Sequence, residues 1–395
     1  MRGTRTGKGI SSIGIAALLY VCVTGAVSLH AAQDAVTPPT SLDNALPKDA
    51  TGADIFRLAC STCHALDGTG SPQSVVGFQL PLPDGHDFPD FTDCASNTAE
   101  PFRAWNSIVH GGGPQRGMDR HMPEWQDALS DAQIELVVKH LWTFCTDPSW
   151  PRGDMNFARA FFTEKAFPEN ETVLTTGVTG AGAKAVTNTV TYEHRIGSRS
   201  QYELSVPFNV QQQTPGQSWG RGLGDVEFAL RRVFFANTAR KAIVAAGAAV
   251  TLPTGKESEG LGGGVTIGEP FVMFDKGLGA HGFVQTHAGI ELPTDKSKAV
   301  NESFFRTALG YTFAQERGIG RAWTPMAEVT LAHPFGEATE VDVVPQMQVS
   351  LSKMQHVLFS AGVRVPVTER EGRHPQFLTY FVWDWFEGGL FEFWK

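Results

Sequence analysis

The chain has 395 residues, 42% of them hydrophobic and 18% charged, with 42 glycines and a formal net charge of -9. Such a chain folds and is too long for one typical domain, and its apolar content excludes an intrinsically disordered polypeptide. The acidic balance is spread along the sequence, which argues against a nucleic-acid partner.

Arg2, Arg5 and Lys8 precede an apolar stretch from Ile13 to Val27, and the small-residue segment "AVSLHAAQD" follows. That order of charge, apolar core and small residues is a secretory signal, with cleavage expected between Ser28 and Ala32. Residues 1–32 are assigned to it. The apolar core is short against the roughly 20 residues of a spanning helix, and Gly14 and Gly25 interrupt it. Export places the remainder in an oxidising compartment. Cys22 lies in the signal, which leaves Cys60, Cys63, Cys94 and Cys145.

Residues 33–50 read as a Pro-rich linker, and 51–147 as a small helical domain. "GADIFRLACSTCHAL" suits a first helix with Ile55, Phe56 and Leu58 as its apolar residues, and a short helix is expected around Phe102 to Val109. Ser130 and Gln133 form a capping box. Ile134, Val137, Val138 and Leu141 follow at the spacing of one buried helical face. Pro148 and Pro151 stop that helix, and a linker over 148–170 separates it from the rest.

Cys60-Ser-Thr-Cys63-His64 in an exported chain points to covalent attachment of one haem c. Two intervening residues let both sulfurs reach the vinyl groups of one porphyrin, and His64 offers its imidazole to the iron. A thioredoxin-like pair would need a βαβ setting, which the neighbourhood lacks. Zinc would need a second paired motif, which Cys94 and Cys145 do not supply. The second axial ligand is to be sought among Met118, Met122, His110, His121 and His140. Met122 is the first choice, because Pro123 stiffens its loop and the capped helix follows.

With "CSTCH" after a first helix and "RHMPEWQDALSDAQIELVVKHLWTFC" at the end, residues 52–145 resemble the class I cytochrome c family. The resemblance implies His64 as proximal and Met122 as distal ligand, with Met118 and His121 as substitutes. Two axial ligands leave no open position, which implies an electron carrier and not an enzyme. Many family members carry a proline soon after the haem motif; here the nearest are Pro72, Pro81 and Pro83. Cys94 and Cys145 remain, and in an oxidising compartment they are expected to form a disulfide.

From about Glu171 the apolar period changes from 3.6 to 2. Tyr202, Leu204, Val206, Phe208 and Val210 alternate with polar residues, as do Phe228 and Leu230, Val284 to Leu292, Phe305 to Phe313 and Val357 to Val365. About twelve strands of roughly ten residues are expected, with echoing hairpins at "LPTGKESEGLGGG" and "LPTDKSKAVNES". Strands of this length suit an antiparallel transmembrane barrel over 171–395 better than a sandwich. Glu203, Glu227, Arg231, Gln285, His287, Glu291, Arg306 and Arg364 are assigned to its lumen. Phe234, Phe235, Phe304, Trp323, Trp383, Trp385 and Trp394 are assigned to interfacial girdles. Gly222-Leu-Gly-Asp225 and Leu252-Pro-Thr-Gly255 resemble landmarks of outer-membrane barrels of the transporter and phenol-degradation meta-pathway families. Those barrels usually end on an aromatic residue, whereas this sequence ends Phe393-Trp394-Lys395.

The expectation is therefore a multi-domain protein, a small all-α cytochrome c domain followed by an antiparallel barrel in the outer membrane of a Gram-negative envelope. The haem domain would face the periplasm and exchange single electrons with a redox protein, and the barrel would meet the lipid bilayer. A channel with the cytochrome as redox partner or plug, and an electron-accepting subunit of a periplasmic dehydrogenase, are the alternatives.

Overall fold

The computed structural model describes residues 46, 49–70, 88–116, 121–313, 321–352 and 355–384. The expected signal segment with Cys22, most of the expected 33–50 linker, Pro72, Pro81, Pro83, Met118, Trp385 and Phe393-Trp394-Lys395 lie outside them.

The helical part begins where Thr51 can cap it. The Thr51 hydroxyl accepts the Asp54 N–H at 3.3 Å, and the Asp54 carboxylate accepts the Thr51 N–H at 3.1 Å. Helix α1 (Gly52–Ile55) runs into a π-helical turn (Phe56–Cys60) and then α2 (Ser61–His64). Helices α3 (Cys94–Ala99), α4 (Phe102–Gly111) and α5 (Asp131–Leu141) complete the part. The capping box at Ser130 is present, and Ile134, Val137, Val138 and Leu141 are buried as the periodicity predicts. They form one core with Ile55, Phe56, Phe91, Val109, Trp125, Ala128 and Leu129. Leu58, the third apolar residue of this stretch, lies in the π turn and is 49% exposed, whereas Ile55 and Phe56 are buried. At Gly52 α1 crosses α5 so closely that a Cβ would lie 2.1 Å from the Leu136 carbonyl oxygen. Only glycine fits this crossing.

The remainder is strand. β1 (Glu171–Thr179), β2 (Ala185–Ile196), β3 (Ser200–Gln211) and the short β4 (Gly220–Leu223) come first. Then follow β5 (Val226–Asn237), β6 (Ala242–Leu252), β7 (Ile267–Leu278) and β8 (Gly282–Pro293). The last are β9 (Glu302–Tyr311), β10 (Trp323–Pro334), β11 (Glu340–Ser350), β12 (Val357–Pro366) and β13 (Gln376–Asp384). Each long strand pairs antiparallel with its neighbours, and β1 pairs with β13 from Glu171↔Asp384 to Thr179↔Gln376. Among the described residues twelve strands thus close into a barrel, and β4 adds only to the far end of β3.

Period-2 alternation decides which side chains face out. Leu204, Phe228, Leu230, Val272, Phe274, Phe305, Leu309, Phe377 and Phe381 are exposed on the outer face. Glu203, Arg231, Gln285 and His287 are buried inside, where alternation placed them. This is the surface that a transmembrane barrel turns to lipid. At one end the turns 197–199, 238–241 and 279–281 are short, with the longer connection 312–322 beside them, and the other end carries the loops 253–266, 294–301 and 367–375. The two echoing hairpins, 253–266 and 294–301, are both at the long-loop end. Aromatics gather on the outside near the short-turn end, where Tyr192 lies 6.0 Å from Tyr202 and Tyr311 lies 4.7 Å from Phe313. Phe304 does not join them. It shares its face with Glu302 and Arg306, so it points inward and meets His287 edge-on at 5.0 Å.

The 148–170 segment does not run outside the barrel. Met155, Ala166 and Phe167 are fully buried against Ala229, Val233, Ala245, Ala249, Phe271 and Met273 of the inner wall. Phe161 meets Tyr380 at 5.0 Å, and Phe157 stacks on Phe283 at 5.3 Å.

Candidate functional site

The Cys-x-x-Cys-His segment is placed by the π turn. The Ser61 N–H reaches back to the Phe56 carbonyl, five residues away, and the Ser61 hydroxyl donates to the Arg57 carbonyl at 2.8 Å. Such single wide turns recur at functional positions. Phe56, at its start, packs against Phe144 at 5.1 Å and His140 at 5.4 Å. Cys60 and Cys63 are half-buried and form no disulfide. Burial, with Cys63 adding repulsion, pushes the Cys60 thiol up to about 12, and burial raises Cys63 as well. A Cys-x-x-Cys oxidoreductase needs the opposite, a thiol driven down toward the thiolate.

His64 ends α2, and its carbonyl accepts the Gly70 N–H at 3.2 Å. Its ring lies 4.8 Å from Phe91 and 6.0 Å from Phe88. Burial pulls its pKa down to about 4, so the imidazole is neutral and keeps a lone pair free for a metal. Its Nδ1 is buried with no hydrogen-bond partner among the described residues.

Met122 is held by glycines that sequence reasoning did not single out. Gly112, at φ +74, leaves a space in which a Cβ would meet the Met122 carbonyl oxygen at 2.8 Å and Glu124 N at 3.0 Å. The Gly113 N–H donates to the Met122 carbonyl at 3.0 Å, and the Trp125 N–H donates to Val109 at 3.1 Å. The Met-Pro loop is thereby pinned to the end of α4. The available signal was the triplet Gly111-Gly112-Gly113, an unusual helix ending.

Cys60, Met122, Trp105 and Phe144 all pack against the one apolar core, and Phe91 of that core carries His64. The other axial candidates have neighbours of their own. His110 Nε2 lies 3.8 Å from Asp131, and the His140 ring lies edge-on to Phe56 and Phe144. His121 is half-buried beside Met122 in sequence, and Met118 lies outside the described residues.

The donor set fits a covalently held haem: two thiols, a neutral imidazole, a thioether and an apolar wall. Trp105 Nε1, a donor only, is buried without a partner among the described residues. The carboxylates of a porphyrin are acceptors that would satisfy it.

Cys94 and Cys145 are disulfide-bonded, with a Cα–Cα distance of 5.0 Å. Asn97 of α3 donates to the carbonyls of Phe91 (2.7 Å) and Leu141 (3.1 Å), joining the His64 wall to α5. Arg152 then ties the following chain to this frame, donating to Asn97 Oδ1 and the Trp142 carbonyl, both at 2.8 Å, and covering the Trp142 ring at 4.6 Å. The helical part also meets the short-turn end of the barrel. Glu100 pairs with His356 at 2.7 Å, and Ser149 bonds Ser198 at 2.9 Å and Arg199 at 2.8 Å.

Comparison with known proteins agrees with this division. Residues 50–144 match the Cytochrome c family, so this segment is a cytochrome c domain, of a family that carries electrons on covalently bound haem c. The chain is thus a cytochrome c domain continuous with a closed twelve-strand barrel. No curated protein matches it at a significant level. Among solved structures its barrel is similar to the KdgM porin (10% identity, 54% of this chain and 98% of that chain, TM-score 0.38). It is similar also to the NanC porin (9% identity, 54% and 98%, TM-score 0.35). A third is the β domain of the Bordetella autotransporter BrkA (10% identity, 54% and 96%, TM-score 0.33). These are likenesses of fold.

Proposed function

We propose that this protein transfers single electrons at the periplasmic side of the outer membrane of a Gram-negative envelope, from a haem domain anchored by its barrel. The observation that carries the reading is the meeting of Cys60, Met122 and the His64 wall in one apolar cluster. When bound, haem c supplies a one-electron ferric/ferrous couple. Cys60 and Cys63 would hold it covalently, neutral His64 would offer its lone pair to the iron, and Met122 would offer a thioether sulfur. A histidine and methionine ligand pair would raise the potential and leave no site for substrate. Phe56, Phe91, Trp105 and Phe144 keep water away.

The helical domain docks at the short-turn end of the barrel, which in outer-membrane barrels is the periplasmic end. The apolar band of such barrels is roughly 25 Å tall. A single haem on one side therefore exchanges electrons with a redox protein that docks on that same side.

The test is haem staining on denaturing gels, with optical spectra. Cys60→Ala with Cys63→Ala is expected to abolish the covalently stained band. Met122→Ala is expected to keep it while losing the methionine-to-iron charge-transfer band, with a fall in reduction potential. Retention of that band in Met122→Ala assigns the thioether role elsewhere. Free binding of cyanide to the native protein would contradict saturated ligation.

A further inference from the structure

A barrel of eight strands is filled by its own side chains, whereas sixteen strands leave an aqueous channel. Twelve strands lie between, and here the wall does not close its own lumen. Ala229, Ala245 and Ala249 face inward where larger side chains would be needed to meet across the barrel. At Gly362 a Cβ would lie 2.9 Å from the Phe161 ring, so the wall is hollowed to receive a side chain of the 157–170 segment.

That segment has no strand ladder, and its backbone is satisfied by side chains of the wall. Glu328 of β10 accepts the N–H groups of Phe161 (3.2 Å), Phe162 (3.0 Å) and Thr163, together with the Thr163 hydroxyl at 2.7 Å. Three consecutive amides turned to one carboxylate make an anion-binding nest. Gln346 of β11 steadies the same carboxylate at 3.1 Å. Asp275 of β7 accepts the Ala166 N–H at 2.7 Å, and Tyr380 of β13 donates to the Arg159 carbonyl at 2.5 Å. Ion pairs complete the seat: Arg159 with Glu171 (2.7 Å) and Glu193, Lys165 with Glu169, and Arg231 with Glu193 (3.0 Å) and Glu164 (3.4 Å). The partners come from strands around the whole circumference, so the segment crosses the bore.

The seat is polar and incompletely satisfied. Both side-chain polar atoms of Gln285, both ring nitrogens of His287 and Asp275 Oδ1 are buried without a partner among the described residues. The space beside the segment, lined by Glu164, Gln201, Glu203, Ala229, Arg231 and Phe271, is too tight to admit even a water molecule. It is smaller than the roughly 300 Å³ of a small-molecule pocket.

We infer that residues 157–170 are a built-in plug, locked by Glu328, that keeps a solute-sized pore shut. The inference goes beyond electron transfer and rests on the membrane reading of the barrel alone. The cytochrome domain itself stays at the rim, and the closing element is the chain that leaves it.

The experiment uses the full-length protein in planar lipid bilayers, with flotation on liposomes as a separate assay of insertion. In one variant 157–170 is replaced by a Gly/Ser segment of equal length, which keeps the haem domain tethered. In the second, Glu328→Gln, the shape is kept and the carboxylate removed. The intact protein is expected to be silent, the replaced one to show discrete ohmic steps, and Glu328→Gln to open intermittently. Steps of equal size in the intact protein overturn the inference, as does silence in variants that float with liposomes. Failure of the intact protein to float overturns the membrane reading, and the inference with it.

Discussion

At the scale of single residues, the site divides into what chemistry names and what packing demands. Cys60, Cys63, His64 and Met122, the residues proposed to hold the haem, can be named from the sequence because their residue types and spacing carry the chemistry. Gly112 cannot, because its requirement is a contact with Met122 and Glu124 across a loop. Its φ of +74 adds a second reason for glycine. Gly112→Ala is expected to push the Met122 loop off the end of α4. The spectrum should then lose the methionine band while the covalent haem stain stays. A variant with both signals intact would show that the loop tolerates the displacement. Trp105 was likewise silent in the sequence, where it reads as one more apolar residue on α4, and only its stranded Nε1 marks it.

At the scale of elements, period was the dependable guide. The 3.6 repeat after Ser130 placed α5 and its buried face, and the period of 2 sorted the strands into lipid and lumen faces residue by residue. Phe304 escaped, because an aromatic at a strand end fits a girdle as well as a core and only the register decides. The π turn also escaped, since no composition signal separates it from an α-helical turn. The Cys94–Cys145 bridge spans a sequence separation of 51. A loop of that size is worth about 4 kcal/mol in the chain-entropy account, a large share of the stability of a small domain. The double change Cys94→Ser and Cys145→Ser is expected to lower the haem domain's unfolding midpoint by well over ten degrees, at about 4–8 °C per kcal/mol. Thermal melts followed in the haem absorbance measure this, and an unchanged midpoint would assign the bridge no structural weight.

At the scale of the whole molecule, the order of parts was legible and the content of the barrel was not. Residues 148–170 carry no period, so they read as a linker. Among the groups that hold them, Asp275 of β7, Glu328 of β10 and Tyr380 of β13 lie more than a hundred residues downstream. Beyond the plug, toward the long-loop end, Glu227, Glu269, Glu291 and Glu302 lie on the inward register with Arg306 among them, and Glu291 faces Glu302 across the β8–β9 pair. Like charges set opposite each other in a strand pair are unfavourable unless water or counter-ions intervene. A mouth with this excess of carboxylates concentrates cations. The pore opened by the Gly/Ser replacement is therefore expected to show a reversal potential displaced toward cation permeation under a potassium chloride gradient. A potential at zero or on the anion side would contradict it.

The plug enters and leaves through the same end of the barrel. Upstream it is fastened to the haem domain through Arg152, and downstream it becomes β1 at Glu171. A tug on the domain would load its contacts in succession: the Phe157–Phe283 stack, the Tyr380–Arg159 bond, the Glu328 nest, then Asp275 with Ala166. This is peeling, not shear, so each small force has to break only one group of bonds at a time. A partner that levers the cytochrome domain away from the rim would unzip the bore in stages, with the covalent backbone as its drawstring.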